Sequence, residues 1–165
     1  LPDATEDGEP MRETIAQALA VVAVGGSGIV AGVFFAVAVS VLPTLYTMPA
    51  GSYITLHRKL GQGYHPSMPL IVNSTMFADI ALIFLVEESA TRWLFILASV
   101  LALGVQGVSH LGNVPINKRV LRVDPDAVPD DWDDPRPQWR RLHQLRTALA
   151  LAALTVTAAG VVVLP

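Results

Sequence analysis

The 165-residue chain contains no cysteine, so disulfides, thiolate metal sites, iron–sulfur clusters and thiol redox chemistry are excluded. Charge is scarce as well: Asp, Glu, Lys and Arg make up 15% of the residues, against roughly 25% in an ordinary soluble domain. With 52% hydrophobic residues and a mean hydropathy of +0.49, the composition argues against a disordered chain, a nucleic-acid binder and most soluble enzymes. Nucleotide motifs are missing too. There is no Walker sequence, no nucleophile-elbow serine and no His-x-x-x-His pair, and Gly26-Ser-Gly28 lacks the preceding strand of a dinucleotide fingerprint.

What the chain does have is long apolar blocks. No acidic or basic residue occurs between Glu13 and His57, and Ile15 to Leu42 is almost wholly apolar. A second block runs from Leu70 to Val86, a third from Trp93 to about Leu111, and a fourth from Trp139 to the end. A helix needs about 20 apolar residues to cross a bilayer, and blocks one and four show no polar stripe at helical period. The expectation is an all-α integral membrane four-helix bundle, a single domain over residues 1–165. Its spans are placed at about 14–42, 68–87, 92–111 and 139–163, with loops at 43–67 and 112–138. The first block follows Asp3, Glu6, Asp7 and Glu9 rather than a basic start, so a cleaved signal peptide is not expected. The missing initiator Met and the abrupt end at Pro165 lead us to expect that some terminal residues are missing or not native.

Four spans put both termini on one side and both long loops on the other. Of the 11 basic residues only Arg12 and Arg92 fall with the termini. The other nine are Arg58, Lys59, Lys118, Arg119, Arg122, Arg136, Arg140, Arg141 and Arg146. The positive-inside rule therefore predicts cytoplasmic loops and outer termini, in what reads as a bacterial plasma membrane. Within the first loop, Ser52 to Leu60 suggests a short helix capped by Ser52. Residues 124–137 carry six acids and four prolines and read as an exposed loop. Gly28-x-x-x-Gly32 has the spacing that lets membrane helices approach closely.

The polar residues collect at the loop end. All four histidines, His57, His65, His110 and His143, fall there, and imidazoles without thiolates suit copper ahead of iron. Their spacing is dispersed, so a metal rests on the residues converging in space, and interfacial histidines without metal are the plain alternative. Pro115 and Gly112 predict a break or kink at the end of the third helix. Asn113 and Asn117 either cap that break or line a polar pocket beside His110. Trp139, His143 and Arg146 fall within roughly 60° of arc on one helix face. Arg146 either snorkels to the headgroups or turns inward to hold an anion, and its place on the His143 face favours the inward reading. Asp79 is the acid inside the second span; a hydrogen bond to a neighbouring helix, through Gln106, is favoured over a functional role. Glu87 and Glu88 read as caps, with Glu87 in reach of Arg92.

Several of these segments resemble a known family. Gly112-Asn-Val-Pro-Ile-Asn-Lys-Arg-Val-Leu, then Val-Asp-Pro-Asp, Trp139 and His143-x-x-Arg146-Thr147 are similar to the anthrone oxygenase-like family of small four-helix membrane proteins. Gly32-Val-Phe-Phe-Ala and Leu42-Pro43 fit its usual opening, so the resemblance covers nearly the whole chain. Many members carry Trp-Asn-His-x-Arg-Thr before the last helix. Here His143 stands at the Asn position and Gln144 at the His position, which moves the imidazole about 100° round the helix.

The resemblance implies an oxygen-using oxidoreductase acting on an apolar, aromatic or polyketide-like molecule that enters from the membrane. His110, His143 and Arg146 are then the catalytic candidates, with Asn113, Asn117, Trp139 and Asp79 contacting substrate or supporting the site. The four histidines are the metal candidates, and oxygenation without a cofactor, with His143 or His110 as base, is the other route. Expected partners are the substrate, dioxygen and membrane lipid, with no nucleic acid; a homo-oligomer is left open. A non-catalytic membrane carrier or assembly subunit is the competing class.

Overall fold

The computed structural model describes residues 8–164, so Asp3, Glu6 and Asp7 lie outside the described residues. It is built of seven α-helices: α1 (Gly8–Ala36), α2 (Leu42–Tyr46), α3 (Ala50–Tyr64), α4 (Ser67–Leu85), α5 (Ser89–Val108), α6 (Val114–Val120) and α7 (Arg136–Val162). Four rods are long and apolar enough to cross a membrane: Glu9–Tyr46, Ser67–Leu85, Ser89–Val120 and Arg136–Val162. α1 packs on α4 and α7, and α5 packs on the same two helices, which closes a four-membered ring. An apolar cluster holding Ala16, Val86, Phe95 and Val161 gathers the start of α1, the α4–α5 turn and the end of α7 at one end.

The bundle is inverted relative to a soluble protein. Small residues such as Ala23, Ala78, Ala98 and Ala150 fill the interior, while Phe35, Phe77, Phe84 and Leu111 stand on the perimeter. Close backbone approach and a large-residue exterior suit hydrocarbon solvent. The tightest crossing is at Gly26, where a Cβ would collide with the Thr75 side chain. Gly28 and Gly32 have nothing within 4 Å of a Cβ position, so their spacing does not mediate packing within this chain.

Of the break or kink expected at Pro115, the break does not occur. A π-turn at Ser109–Asn113 joins α5 to α6 in one rod, and a second at Val37–Val41 joins α1 to α2. Each sits two residues before a proline, Pro43 or Pro115. Proline lacks an N–H and its ring clashes with the carbonyl four residues back; a wider turn relieves both. The Val114 N–H accordingly reaches Ser109 O, and the Leu42 N–H reaches Val37 O. Residues 112–120 are thus helical rather than loop.

The loop end is tied down by arginines. α3 begins at Ala50 after Pro49, with no side-chain cap, so Ser52 does not cap it. Arg58 donates to Leu121 O at 2.9 Å and Val123 O at 2.6 Å, closing the end of α6. Arg136 donates to Leu45 O and Met48 O and pairs with Asp134 at 2.6 Å. Burial works against ionisation of Asp134, but its bonds to Arg136 outweigh this and hold the carboxyl below its ordinary range. Trp132 packs on Tyr53, so the acidic connector is anchored. At the other end Arg12 pairs with Glu87, and Glu88 caps α5 by accepting from the Ala90 and Thr91 N–H groups. Arg92 donates to the Val86 carbonyl instead of meeting Glu87's carboxylate.

Candidate functional site

The first turns of α7 enter the bundle between the two π-turns and carry Trp139, His143 and Arg146 on one face. His143 is fully buried and stacks on the Trp139 indole with ring centroids 5.1 Å apart and planes 5° from parallel. The Phe34 ring meets His143 edge-on at 5.8 Å. On the far side His57 meets Trp139 edge-on at 5.6 Å, and Tyr53 lies 5.4 Å from His57. Five rings from α3, α1 and α7 therefore form a ladder in the order Tyr53, His57, Trp139, His143, Phe34.

Hydrogen bonds fix the protonation of the second imidazole. His143 Nε2 lies 2.9 Å from Phe34 O, which can only accept, so Nε2 carries the proton. Its Nδ1 accepts from Arg146 Nε at 3.0 Å and from Arg146 Nη2 at 2.8 Å. Thr147 Oγ1 donates to His143 O at 2.7 Å. The neutral imidazole satisfies every partner, and its lone pair is already committed.

Arg146 is half-buried, and its guanidinium carbon sits 4.5 Å over the Phe34 ring and 5.7 Å from that of Trp139. No carboxylate pairs with it among the described residues. Asn117 Oδ1 accepts from Trp139 Nε1 at 2.9 Å and lies 3.0 Å from His57 Nε2. Asn113 is buried and donates to Trp139 O at 3.4 Å, leaving its Oδ1 without a partner; the Tyr53 hydroxyl is likewise buried and unpartnered. Burial lowers the His57 pKa below its ordinary value, against the raising effect of the Asn117 bond. Burial, with Asp134 adding to it, pushes the Tyr53 phenol up.

The remaining candidates lie elsewhere. His65 ends α3 and His110 stands in the second π-turn; both are exposed and neither joins the ladder. No group of three or more His, Asp or Glu side chains arranged to hold a metal ion occurs among the described residues. His57 and His143 are separated by the indole, and the free edge of His143 faces a guanidinium, which repels a cation. This donor set does not fit a copper or iron centre. Asp79 accepts from Thr157 Oγ1 at 3.2 Å rather than from Gln106, which donates to Asn73 instead. A cavity of about 30 Å³ near the bundle centre, touched by Ser27, Thr75 and Ala150, has room for about one water. The larger open groove of about 580 Å³ runs beside Gly51, Lys59 and Pro125, and no ladder residue lines it.

Phe34 and Tyr53 carry no functional signal in the sequence motifs above. Tyr53 stands one helical turn before His57, and reading α3 as a buried helix would have found it. Phe34 acts through its backbone carbonyl as well as its ring, and an acceptor of that kind has no sequence signal.

The family model described as anthrone oxygenase matches residues 13–156, and the chain belongs to that family. No curated protein and no solved structure matches the chain.

Proposed function

We propose that this member of the anthrone oxygenase family oxidises an apolar, anthrone-type aromatic molecule with dioxygen at the loop end of the membrane bundle. The observation that carries the reading is Arg146: a half-buried guanidinium flanked by aromatic rings and without a carboxylate partner among the described residues. A charge in that setting is matched by an anionic ligand, and a flat aromatic anion also fits the ring faces.

The substrate class supplies such an anion. Loss of a proton from the methylene between two aryl rings gives an enolate whose charge resides on the ring oxygen. The guanidinium is already aimed where that charge develops, so it stabilises the step without reorganisation. Dioxygen adds at the former methylene carbon, the peroxide takes a proton, and loss of water leaves the quinone. One dioxygen yields one carbonyl oxygen and one water.

The reading takes the cofactor-free route because the free edge of His143 is filled by Arg146. Elemental analysis of protein purified without a His tag checks this: stoichiometric copper or iron would replace it with a metal-centred reaction. The nine basic residues at the loop end support cytoplasmic loops. Cysteines placed at Glu88 and Asp130 should label from opposite sides, with Asp130 inside. The deciding experiment incubates the purified protein with anthrone under labelled dioxygen. One labelled oxygen in the quinone, lost in Arg146→Met, is expected. Binding of anthrones without turnover would favour a carrier.

A further inference from the structure

The two buried imidazoles of the ladder are not equivalent. An indole N–H can only donate, so the Asn117 atom 2.9 Å from Trp139 Nε1 is the carboxamide oxygen. That same oxygen lies 3.0 Å from His57 Nε2, and two acceptors do not bond each other. His57 must therefore carry its proton on Nε2, which leaves the lone pair on Nδ1. No hydrogen-bond donor reaches that nitrogen among the described residues. His143 shares the tautomer but spends its Nδ1 lone pair on Arg146.

From this geometry we propose that His57 Nδ1 is the general base of the site and that Asn117 is the positioning residue that holds it in the competent tautomer. The assignment rests on the anthrone-type reading above. His57 and Arg146 approach the same indole, at 5.6 Å and 5.7 Å from its ring centre. In this assignment the planar substrate spans the edge of the indole, its methylene toward His57 Nδ1 and its oxygen toward the Arg146 guanidinium. In the step, the methylene C–H bond breaks and the proton goes to Nδ1. The electron pair stays on the substrate as the enolate that Arg146 holds. After dioxygen has added, the same proton returns from Nδ1 to the peroxide; the second C–H bond of the former methylene and the O–O bond then break, and that hydrogen leaves with the outer oxygen as water while the carbonyl forms.

Burial supports this role, since it keeps the imidazole unprotonated at neutral pH. The groups that face the ring are Tyr53 from its own helix, Asn117 from α6 and Trp139 from α7, and none of them carries a charge. Arg58, next in the chain, is turned to the Leu121 and Val123 carbonyls. Arg136 lies over the far neighbour Tyr53.

The test measures anthrone oxidation by the intact protein and its variants in detergent. His57→Ala should lose turnover by about 10²–10⁴-fold, as expected for a missing general base, and added imidazole should restore part of it. Asn117→Leu should lose roughly 10–100-fold. Asn117→Asp, which accepts from both donors, should keep turnover with the acidic limb of its pH–rate profile moved to higher pH. Native turnover in His57→Ala overturns the assignment while leaving Arg146's role standing; an inactive native protein overturns both. Nitrogen NMR of the histidine-labelled native protein reads the tautomer without turnover. A His57 ring protonated on Nδ1 rather than Nε2 also overturns the proposal.

Discussion

Arg146 and Asp79 both point into apolar helices, and their surroundings differ. Asp79 is sealed, with one hydroxyl, Thr157, as partner. Arg146 is half-buried, walled by aromatic faces, and bonded to an imidazole that cannot neutralise it. Arg146 and Thr157 stand eleven residues apart on α7, roughly 16 Å along the axis, so the carboxyl and the guanidinium do not compensate each other. A sealed polar group joins helices. An open one flanked by flat surfaces has capacity left for a ligand.

The sharpest way to break this contrast is to remove the guanidinium. Arg146→Met should lower anthrone turnover by about 10²–10³-fold, the usual effect of deleting an oxyanion-stabilising group. Arg146→Lys should recover little, because a point-charge ammonium cannot reproduce the planar fork that faces His143 and the two rings. Equal turnover in Arg146→Met would make the two levels functionally alike.

The next largest effect is on stability. His143→Ala removes a fully buried ring, its bond to Phe34 O and its stacking on Trp139, and should cost about 2–4 kcal/mol in detergent-denaturation measurements. Close behind is the helix crossing near the Asp79 level. Gly26→Val drives a side chain into Thr75 and should cost about 1–3 kcal/mol, whereas Gly28→Val, in open space, should stay within about 0.5 kcal/mol. Similar losses for both would show that Gly28 has a packing partner that this chain alone does not supply.

Acidification acts on the loop-end site through His57. The native His57 pKa is depressed, so as pH falls through about 6.5 the unfolded chain binds a proton before the native protein does. Stability is fully present above that pH and declines below it, and His57→Gln should flatten the decline in acid-denaturation curves. The smallest expected effect belongs to Asp79→Asn. The amide oxygen still accepts from Thr157, so turnover should not change. A large loss of turnover there would give the sealed level a role in the chemistry.

The apolar runs alone determined that this is a four-span helical membrane protein, because hydrocarbon solvent admits only long helices of such composition. The helical period also determined that Trp139, His143 and Arg146 share a face, since that relation is local to α7. The helix ends at the two prolines were not legible. Pro115 reads as a break or kink and Pro43 as the start of a loop, yet π-turns carry the helix through both, and Arg58 and Arg136 satisfy carbonyls far away in the chain. The division of labour among the histidines was not legible either. His57 meets Asn117 across sixty residues, and His143 meets the Phe34 carbonyl across more than a hundred. Which imidazole keeps a lone pair depends on donors and acceptors brought in by other helices. Only the tertiary structure decides that, because a histidine's chemistry is set by the groups at its two nitrogens and not by its neighbours in sequence.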